Sequence, residues 1–303
     1  MKKIASLVLI LSISLSLILC AVGCKGAGTG NNFDVEDKNF ANYDEANVVE
    51  GMSAFDLVSE AYANFAQDTN FVREEYFTFA AQNGSLASRN THLIRKMQGD
   101  KIYSQEVIYG TGMDKGTCVK RYYFDGEKAF EINDTSKKNV SYDGKTGEFE
   151  IVSWGEFKAF NGDVEEENWL IKEKMTTYDI SKREYMSKTN HTDKVYKVGE
   201  TYYCTLAIDC SIEMMKSVQR EAMEEFLDTL SAKEDGFAIE DTTIDFAIAE
   251  IDGKMKIKIW RRNEKYSGKH STGITVSCEQ TCLSYYRYGE GYEITADDLL
   301  NLA

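Results

Sequence analysis

The stretch IDFAIAEIDGKMKIKI, residues 244–259, carries the pattern that decides the fold. On both sides of Asp252-Gly253, apolar residues alternate with polar or small ones. Asp-Gly is favoured in the tight turn of a β-hairpin, and side chains two residues apart in a strand point to the same face of a sheet. The stretch therefore predicts two antiparallel strands, each with one apolar face, formed by Ile244, Phe246 and Ile248 in the first and by Met255, Ile257 and Ile259 in the second.

The same two signals recur along much of the chain. Further turn dipeptides are Asn83-Gly84, Asp125-Gly126, Asp143-Gly144 and Asp235-Gly236. Alternation is clear again in residues 202–210 and 274–278, where Thr, Asp and Ser are prominent between the apolar positions. Such alternation predicts an antiparallel sheet with one solvated face and one covered face.

Helices are predicted to cover that sheet. Ser53 and Asp56 fit a capping box, and apolar residues at helical spacing follow, so a helix is expected over residues 53–66. A second amphipathic helix is expected over residues 211–230, and a third, short one over residues 164–176. The expected fold class is α+β: one strongly curved, mostly antiparallel sheet, a half-barrel covered by two or three helices, in a single domain over residues 52–303.

The N-terminus reads as a targeting segment. Lys2 and Lys3 precede an apolar run over residues 4–19, and small residues lead up to Cys24. The run Ala21-Val22-Gly23-Cys24 resembles the lipobox of bacterial lipoproteins. That resemblance implies a diacylglycerol on the Cys24 thiol, cleavage just before it, and an extracytoplasmic protein anchored to the cell membrane. An ordinary signal peptide without lipidation and a transmembrane anchor are the alternatives; the latter is weakened by a short run interrupted by serines.

Residues 24–51 are expected to form a flexible tether, rich in Gly and Asn and then acidic. About 25 flexible residues span roughly 25–30 Å root-mean-square. The net charge of the chain is −15, and it becomes −17 once Lys2 and Lys3 leave with the signal peptide. Such a charge argues against nucleic acid as a partner and against adsorption to anionic lipid, both of which attract basic residues.

The sequence shows no catalytic or metal-binding pattern. His92, His191 and His270 are isolated from one another, and a Gly-x-Ser-x-Gly elbow is absent. We therefore expect no cofactor, no metal and no enzymatic activity. A hydrolase of unrecognised type is a third alternative. Five cysteines follow Cys24, so at least one of them has no disulfide partner within a monomer: Cys118, Cys204, Cys210, Cys278 and Cys282. They are either buried thiols or, for some of them, partners in a disulfide between neighbouring strands.

The order of the predicted elements resembles the lipoprotein-carrier (LolA/LppX-like) superfamily. The residues that suggest it are 99–103, 122–132 with their Asp125-Gly126 turn, and the hairpin at 251–254. The resemblance implies an unclosed, curved sheet that wraps a hydrophobic cavity beneath a lid of helices. No ligand-contacting residue can be transferred from it, because the superfamily has no short fingerprint.

The leading functional expectation is therefore a membrane-anchored extracytoplasmic protein that binds an apolar ligand, either a lipid or the acyl chains of another lipoprotein. The apolar face expected to line its cavity consists of Leu206, Ile208, Phe246, Ile248, Ile257, Ile259, Ile274 and Val276. The same face could instead be filled as an ordinary core. The alternative function is an envelope interaction or sensor module without a ligand cavity, and the oligomeric state is left open.

Overall fold

The computed structural model describes residues 47–82, 84–112, 117–134, 140–143, 149–151, 156–162, 186–187, 194–208, 232–270 and 273–300. Cys24, the predicted signal peptide and the predicted helices at 164–176 and 211–230 lie outside these residues. The described elements are α1 (Ala54–Phe65), β1 (Asn70–Ala81), β2 (Ala87–Gln98), β3 (Lys101–Gly112), β4 (Thr117–Phe124), β5 (Ala129–Asp134), β6 (Val140–Tyr142), β7 (Phe149–Ile151), β8 (Lys158–Ala159), β9 (Met186–Ser187), β10 (Tyr196–Val198), β11 (Thr201–Ile208), β12 (Ala232–Ile251), β13 (Lys254–His270) and β14 (Thr275–Tyr288).

Twelve of these strands form one sheet, in the order β10-β11-β12-β13-β14-β1-β2-β3-β4-β5-β8, with β9 paired to β11 off this path. Every pairing in it is antiparallel. Strands β6 and β7 form a separate two-stranded sheet. The pairing of β14 with β1 joins the late strands to the early ones, so the middle of the large sheet depends on contacts that are distant in sequence.

Turn chemistry fixes two of the predicted hairpins. Asp252 and Gly253 connect β12 to β13 with positive φ angles of 53° and 74°, which is the backbone that a two-residue hairpin turn requires. Gly126, at φ 104°, lies between β4 and β5. The predicted turn at Asp235-Gly236 is wrong, because both residues lie inside the long strand β12, in a stretch where its pairing with β13 shifts register.

Helix α1 begins as its sequence predicts. The Ser53 Oγ accepts a hydrogen bond from the Asp56 backbone N–H at 3.3 Å and so caps the helix. Its buried side chains include Phe55, Val58 and Phe65. The opposite end is tied to the sheet, because the Asn64 side chain donates to the Met255 carbonyl at 2.9 Å. Within the described part of the chain, α1 included, no helix is long and apolar enough to cross a membrane.

The strand register divides the large sheet into two faces, because residues paired across neighbouring strands point the same way. The helix face is the face that packs on α1, and it includes Phe71, Phe246 and Tyr286. The opposite face includes Tyr103, Val107 and the cluster around Tyr123.

The C-terminal segment packs on the opposite face. Ile294 and Leu299 contact the cluster that contains Tyr123. An ion pair of 2.7 Å between the Lys96 Nζ and the Asp298 Oδ2 holds the segment to β2. The segment thus covers part of the opposite face near β2 and the Tyr123 cluster.

The predicted α+β fold, a half-barrel covered by two or three helices, is wrong. The described chain is mostly β, with a single 12-stranded antiparallel sheet and one α-helix among the residues described. The physical reason is that strands supply buried side chains to both faces: Phe246 is fully buried on the helix face, and Tyr103 is 1% exposed on the opposite face. The expectation of one solvated and one covered face is therefore wrong as well.

Candidate binding site on the helix face

Four of the predicted cavity residues lie in the core against α1. Leu206, Phe246, Ile248 and Ile257 are all buried in the cluster that also contains the helix side chains. The Phe246 ring meets the Tyr62 ring edge-to-face, with 6.0 Å between centroids. At these positions the helix therefore fills the sheet face.

Ile259 points away from those residues, although the strict alternation predicts that it shares the face of Ile257. Ala247 pairs with Ile259 whereas Ile248 pairs with Ile257, so one extra residue, Lys258, is inserted in β13. A β-bulge of this kind reverses the sidedness of everything beyond it. Ile259 consequently packs in a cluster on the opposite face.

The remaining predicted residues are scattered. Val276 is buried in a second cluster on the helix face, which we call the far cluster: Phe79, Ala81, Ala87, Val276 and Cys278. Ile274 precedes β14 and is 55% exposed. Ile208 ends β11, and its side chain is outside the described part. The eight residues thus do not form one continuous surface.

A band of polar residues on the helix face separates the α1 cluster from the far cluster. We call it the polar belt, and its members are Arg73, Glu75, Arg95, Trp260, Arg262, Glu264, Cys282 and Ser284. The register brings them together: Trp260 and Glu75 both pair with Ser284, Arg262 pairs with Cys282, and Arg73 pairs with Arg95. This band was not predicted from the sequence.

One end of the belt is built around Arg73. Its side chain is buried, forms an ion pair with Glu75, and donates from Nε to the Ser284 Oγ at 3.3 Å. The guanidinium carbon lies 5.8 Å from the ring centroid of Trp260 and 5.6 Å from that of Tyr286, which is within range of a cation–π interaction. Arg73 is thus fixed by partners on two neighbouring strands.

The carboxylate of Glu75 is held in its ionised form. Burial raises the pKa of Glu75, but the charges of Arg73 and Arg95 and the hydrogen bond from Ser284 outweigh burial and lower the pKa below its ordinary value. The Ser284 Oγ donates to the Glu75 Oε2 at 3.1 Å. Beside it, burial and the neighbouring Glu75 charge raise the pKa of the Cys282 thiol.

The other end of the belt contains two hydrogen-bond donors without partners. The Arg262 Nη2 pairs with the carboxylate of Glu264, which is 2% exposed. The Arg262 Nε and the Trp260 Nε1 are both buried, and neither has a hydrogen-bond partner. The Arg262 side chain as a whole is 32% exposed, so part of this side chain, although not its Nε, is in contact with solvent.

A polar cluster also lies on the opposite face. The Glu74 Oε1 accepts from the Tyr76 hydroxyl at 2.7 Å and contacts the His92 Nε2 at 2.9 Å. The hydrogen bond from His92 is the largest cause that lowers the pKa of Glu74 to about 2. The rings of Tyr76 and His92 stack at 4.6 Å. Because each of the three side chains has a partner within the cluster, we assign the cluster a structural role.

The thiols and other ligand-type side chains show no metal site among the residues that the structure describes. Cys278 and Cys282 are free thiols. The side chains of Cys118 and Cys210 lie outside the described part. A cleft of about 310 Å³ opens at the start of α1, but its lining combines Val49, Leu57 and Met255 with the acids Glu50, Asp56 and Glu60. Its mixed lining makes it a poor site for an apolar ligand.

Comparisons with known proteins do not establish a family for this chain. No protein-family model matches it, and no curated protein does. Among solved structures, a DUF1329 family protein from Desulfovibrio piger aligns at 12% identity and a TM-score of 0.28, over 82% of this chain and 95% of the other. Lipovitellin, in a structure concerned with its lipid-protein interactions, aligns at 6% identity and a TM-score of 0.28, over 75% of this chain and 26% of its own. Scores this low carry no conclusion about fold or function.

Proposed function

We propose that this chain is a lipid-anchored extracytoplasmic protein that binds an amphiphilic ligand on the helix face of its sheet. The observation that supports it is the layout of that face: two apolar clusters lie on either side of the polar belt, and within the belt the Arg262 side chain is partly exposed to solvent. An amphiphile would match both chemistries at once, with its polar end at the belt and its tail against Phe77 and Leu86, the partly buried side chains beside the far cluster.

The unpaired donors favour a binding site over an ordinary core. Leaving a buried polar group without a partner destabilises a protein by roughly 1–3 kcal/mol, and by more when the group is charged. Two such groups occur side by side on β13, at Trp260 and Arg262. Stability alone gives no reason to keep both, whereas a ligand with acceptor atoms would satisfy them.

Anchoring rests on the sequence around Cys24. One acyl chain gives only marginal membrane binding, whereas two or more hold a protein stably. Because the chain carries a net charge of −15, its surface would not add electrostatic attraction to an anionic bilayer. The lipid on Cys24 would therefore have to supply the attachment by itself.

Anchoring is tested by fractionating cells that produce the wild-type chain or Cys24→Ala. We expect wild type in the membrane fraction with the mass of a lipidated, cleaved protein, and Cys24→Ala as soluble protein or uncut precursor. If the Cys24→Ala variant fractionates and matures like wild type, the anchor is not a lipid on this residue.

Ligand binding is tested on chain purified from its native cells by native mass spectrometry. We expect a bound species that organic extraction removes and that lipid analysis identifies as an amphiphile. Purified chain that carries no such species, and that binds none of a panel of added amphiphiles, would contradict ligand binding while leaving the anchor untouched.

An envelope interaction module receives less support from the described residues. The large apolar side chains that they expose are Val198, Ile274 and Leu300, and these lie in three separate parts of the chain: in β10, just before β14 and in the C-terminal segment. Single exposed apolar residues are normal on a soluble surface and do not form the contiguous patch typical of a docking site.

A further inference from the structure

We propose that the C-terminal segment, residues 292–300, is a hinged strap over a docking surface for a peptide of its own chemistry, in which carboxylates lie beside aliphatic side chains. The segment opens while the sheet stays folded, and it competes with such a peptide for the same surface. This inference is independent of the ligand of the helix face, because the surface lies on the opposite face of the sheet.

The surface beneath the segment consists of two rows of side chains that cross β2–β5. Residues paired across neighbouring strands point the same way, so each row follows from the register. One row is Lys96, Tyr103, Tyr123 and Phe130, and the next is Ile94, Gln105, Arg121 and Ile132. The rows contain two cations and no carboxylate, within a chain whose net charge is −15. The surface therefore favours an acidic partner that also carries apolar side chains.

The C-terminal segment shows how such a partner is held. The Lys96 Nζ donates to the Asp298 Oδ2 at 2.7 Å and to the Glu293 carbonyl at 3.1 Å. Ile294 and Leu299 pack on the apolar cluster of the surface. A carboxylate beside aliphatic side chains thus matches both chemistries that the surface offers.

Arg121 adds to the attraction for a carboxylate. This residue is 4% exposed, and its Nη1 donates to the Leu300 carbonyl at 3.5 Å. Burial lowers the pKa of Arg121, while Tyr103 and the Asp298 carboxylate act in the opposite direction. The Asp298 carboxylate is therefore close enough to interact with both cations of the surface.

The attachment of the segment to the sheet is weak. None of residues 292–300 is buried, and the backbone-to-backbone hydrogen bonds of the segment close within it. Its polar contacts with the sheet are made to the side chains of Lys96, Gln98 and Arg121, not to strand backbone. Segments with few buried contacts open locally, at a free energy below that of global unfolding.

Two glycines supply a hinge between β14 and the segment. Gly289 and Gly291 have φ angles of 78° and 69°, a conformation that other residues rarely adopt. Glycine exchanges positive for negative φ at little cost, so rotation here moves the segment off the sheet without straining β14, which ends at Tyr288. A Cβ at Gly289 would meet no atom within 4 Å, so packing does not hold this part of the hinge.

Hydrogen exchange on the full chain, read out residue by residue by mass spectrometry, tests the opening. The Ile294 N–H donates to the Gln98 side chain at 3.1 Å, so it is protected while the segment is docked. We expect it to exchange about a hundredfold faster than the amides that pair β1 with β14, at a rate that about 1 M urea leaves nearly unchanged. Exchange at the rate of the sheet, with the same response to urea, would overturn the strap.

Docking is tested with a fluorescent synthetic peptide of residues 291–300, GYEITADDLL, added to the full chain. The chain's own segment competes with the peptide, so a looser segment should allow tighter peptide binding. Asp298→Asn in the chain removes the carboxylate opposite Lys96, and we expect the peptide to bind this variant about fivefold more tightly than wild type. The matched control is Asp297→Asn, the same change at the neighbouring exposed position, which should bind the peptide like wild type.

Changes in the peptide and in the surface locate the contact. Peptides that carry Asp298→Asn or Leu299→Ser should bind the Asp298→Asn chain about fivefold more weakly than the unchanged peptide, and a scrambled peptide more weakly still. Lys96→Gln, added to the Asp298→Asn chain, should weaken binding of the unchanged peptide by a similar factor. Circular dichroism of each variant shows whether a change in binding reflects a loss of fold.

The outcomes separate a docking surface from a fixed part of the fold. Equal peptide binding by wild type and Asp298→Asn, or by the scrambled and unchanged peptides, overturns the docking surface. Oleate that displaces the peptide overturns it as well, because the surface then takes an amphiphile. Dimers of the Asp298→Asn chain in light scattering, dissociated by the peptide, would support it, with the segment of a second copy as the docked peptide. None of these outcomes bears on the ligand site of the helix face.

Discussion

Replacing Phe246 with Ala tests how the α1 cluster holds the sheet. Phe246 is fully buried, and its ring contacts Tyr62 of α1 edge-to-face at 6.0 Å. Truncation of a buried Phe to Ala destabilises proteins by about 3–5 kcal/mol, because transfer free energy is lost and a cavity is left. Loss of the ring pair adds about 0.5–1.5 kcal/mol beyond burial, so the expected decrease in the free energy of unfolding is about 5 kcal/mol.

The assay is equilibrium unfolding in urea, followed by circular dichroism. With a slope of about 3 kcal/mol per molar urea, a loss of about 5 kcal/mol lowers the midpoint by roughly 1.7 M. The control is Val198→Ala on β10, where the side chain is 48% exposed and the change should stay within about 0.5 kcal/mol. A decrease below 1 kcal/mol for Phe246→Ala would refute the packing of α1 on this face.

Three further changes probe other contacts. Glu74→Gln should make the free energy of unfolding less dependent on pH in acid. The pKa of Glu74 is lowered to about 2, so the ionised carboxylate stabilises the folded chain above pH 4.5, and this stabilisation is lost as the pH falls toward 2. Solvent screening at this half-buried site limits the effect to about 1 kcal/mol, and an unchanged acid unfolding profile would contradict it. Lys256→Met should lower the free energy of unfolding by about 3–5 kcal/mol, because it leaves the Asp68 carboxylate, 2.7 Å from the lysine Nζ, buried without a cation. Adding Asp68→Asn to Lys256→Met should restore part of that loss. If the two substitutions instead lower the urea midpoint additively, the two residues are not coupled. Burial raises the pKa of Cys278 to about 12, so alkylation of this thiol at pH 8 should be slow until urea unfolds the chain. Peptide mass spectrometry measures the extent of alkylation. Rapid labelling of the folded protein would show that the thiol is exposed.

Local turn and capping signals predicted parts of the fold correctly. The Ser53 cap, the hairpin at Asp252-Gly253 and the turn at Gly126 depend on the conformations of a few neighbouring residues. Such preferences act in short segments and can be read from the sequence directly. The turn predicted at Asp235-Gly236 fails because the pairing of β12 with β13 continues through it with a register shift.

The candidate site was harder to predict because it depends on register. The bulge at Lys258 moves Ile259 to the opposite face and brings Trp260 to the helix face. The alternation of residues 255–259 does not indicate this bulge. Arg73 and Glu75 have the same parity in β1 as the buried Phe71 and Phe79. That parity was the available signal, but charged residues in a strand are usually assigned to solvent, and only the pairing of β1 with β14 shows that these are buried.

Photo-crosslinking shows where a ligand binds and so tests whether an amphiphile binds on the helix face at the polar belt. A fatty acid with a diazirine close to its carboxylate is bound to the full chain, activated by light and mapped by peptide mass spectrometry. We expect labelling within β13 and β14 around Trp260, Arg262 and Cys282, and we expect excess oleate to abolish it. Labelling confined to opposite-face residues such as Tyr76, or none that oleate displaces, would contradict it.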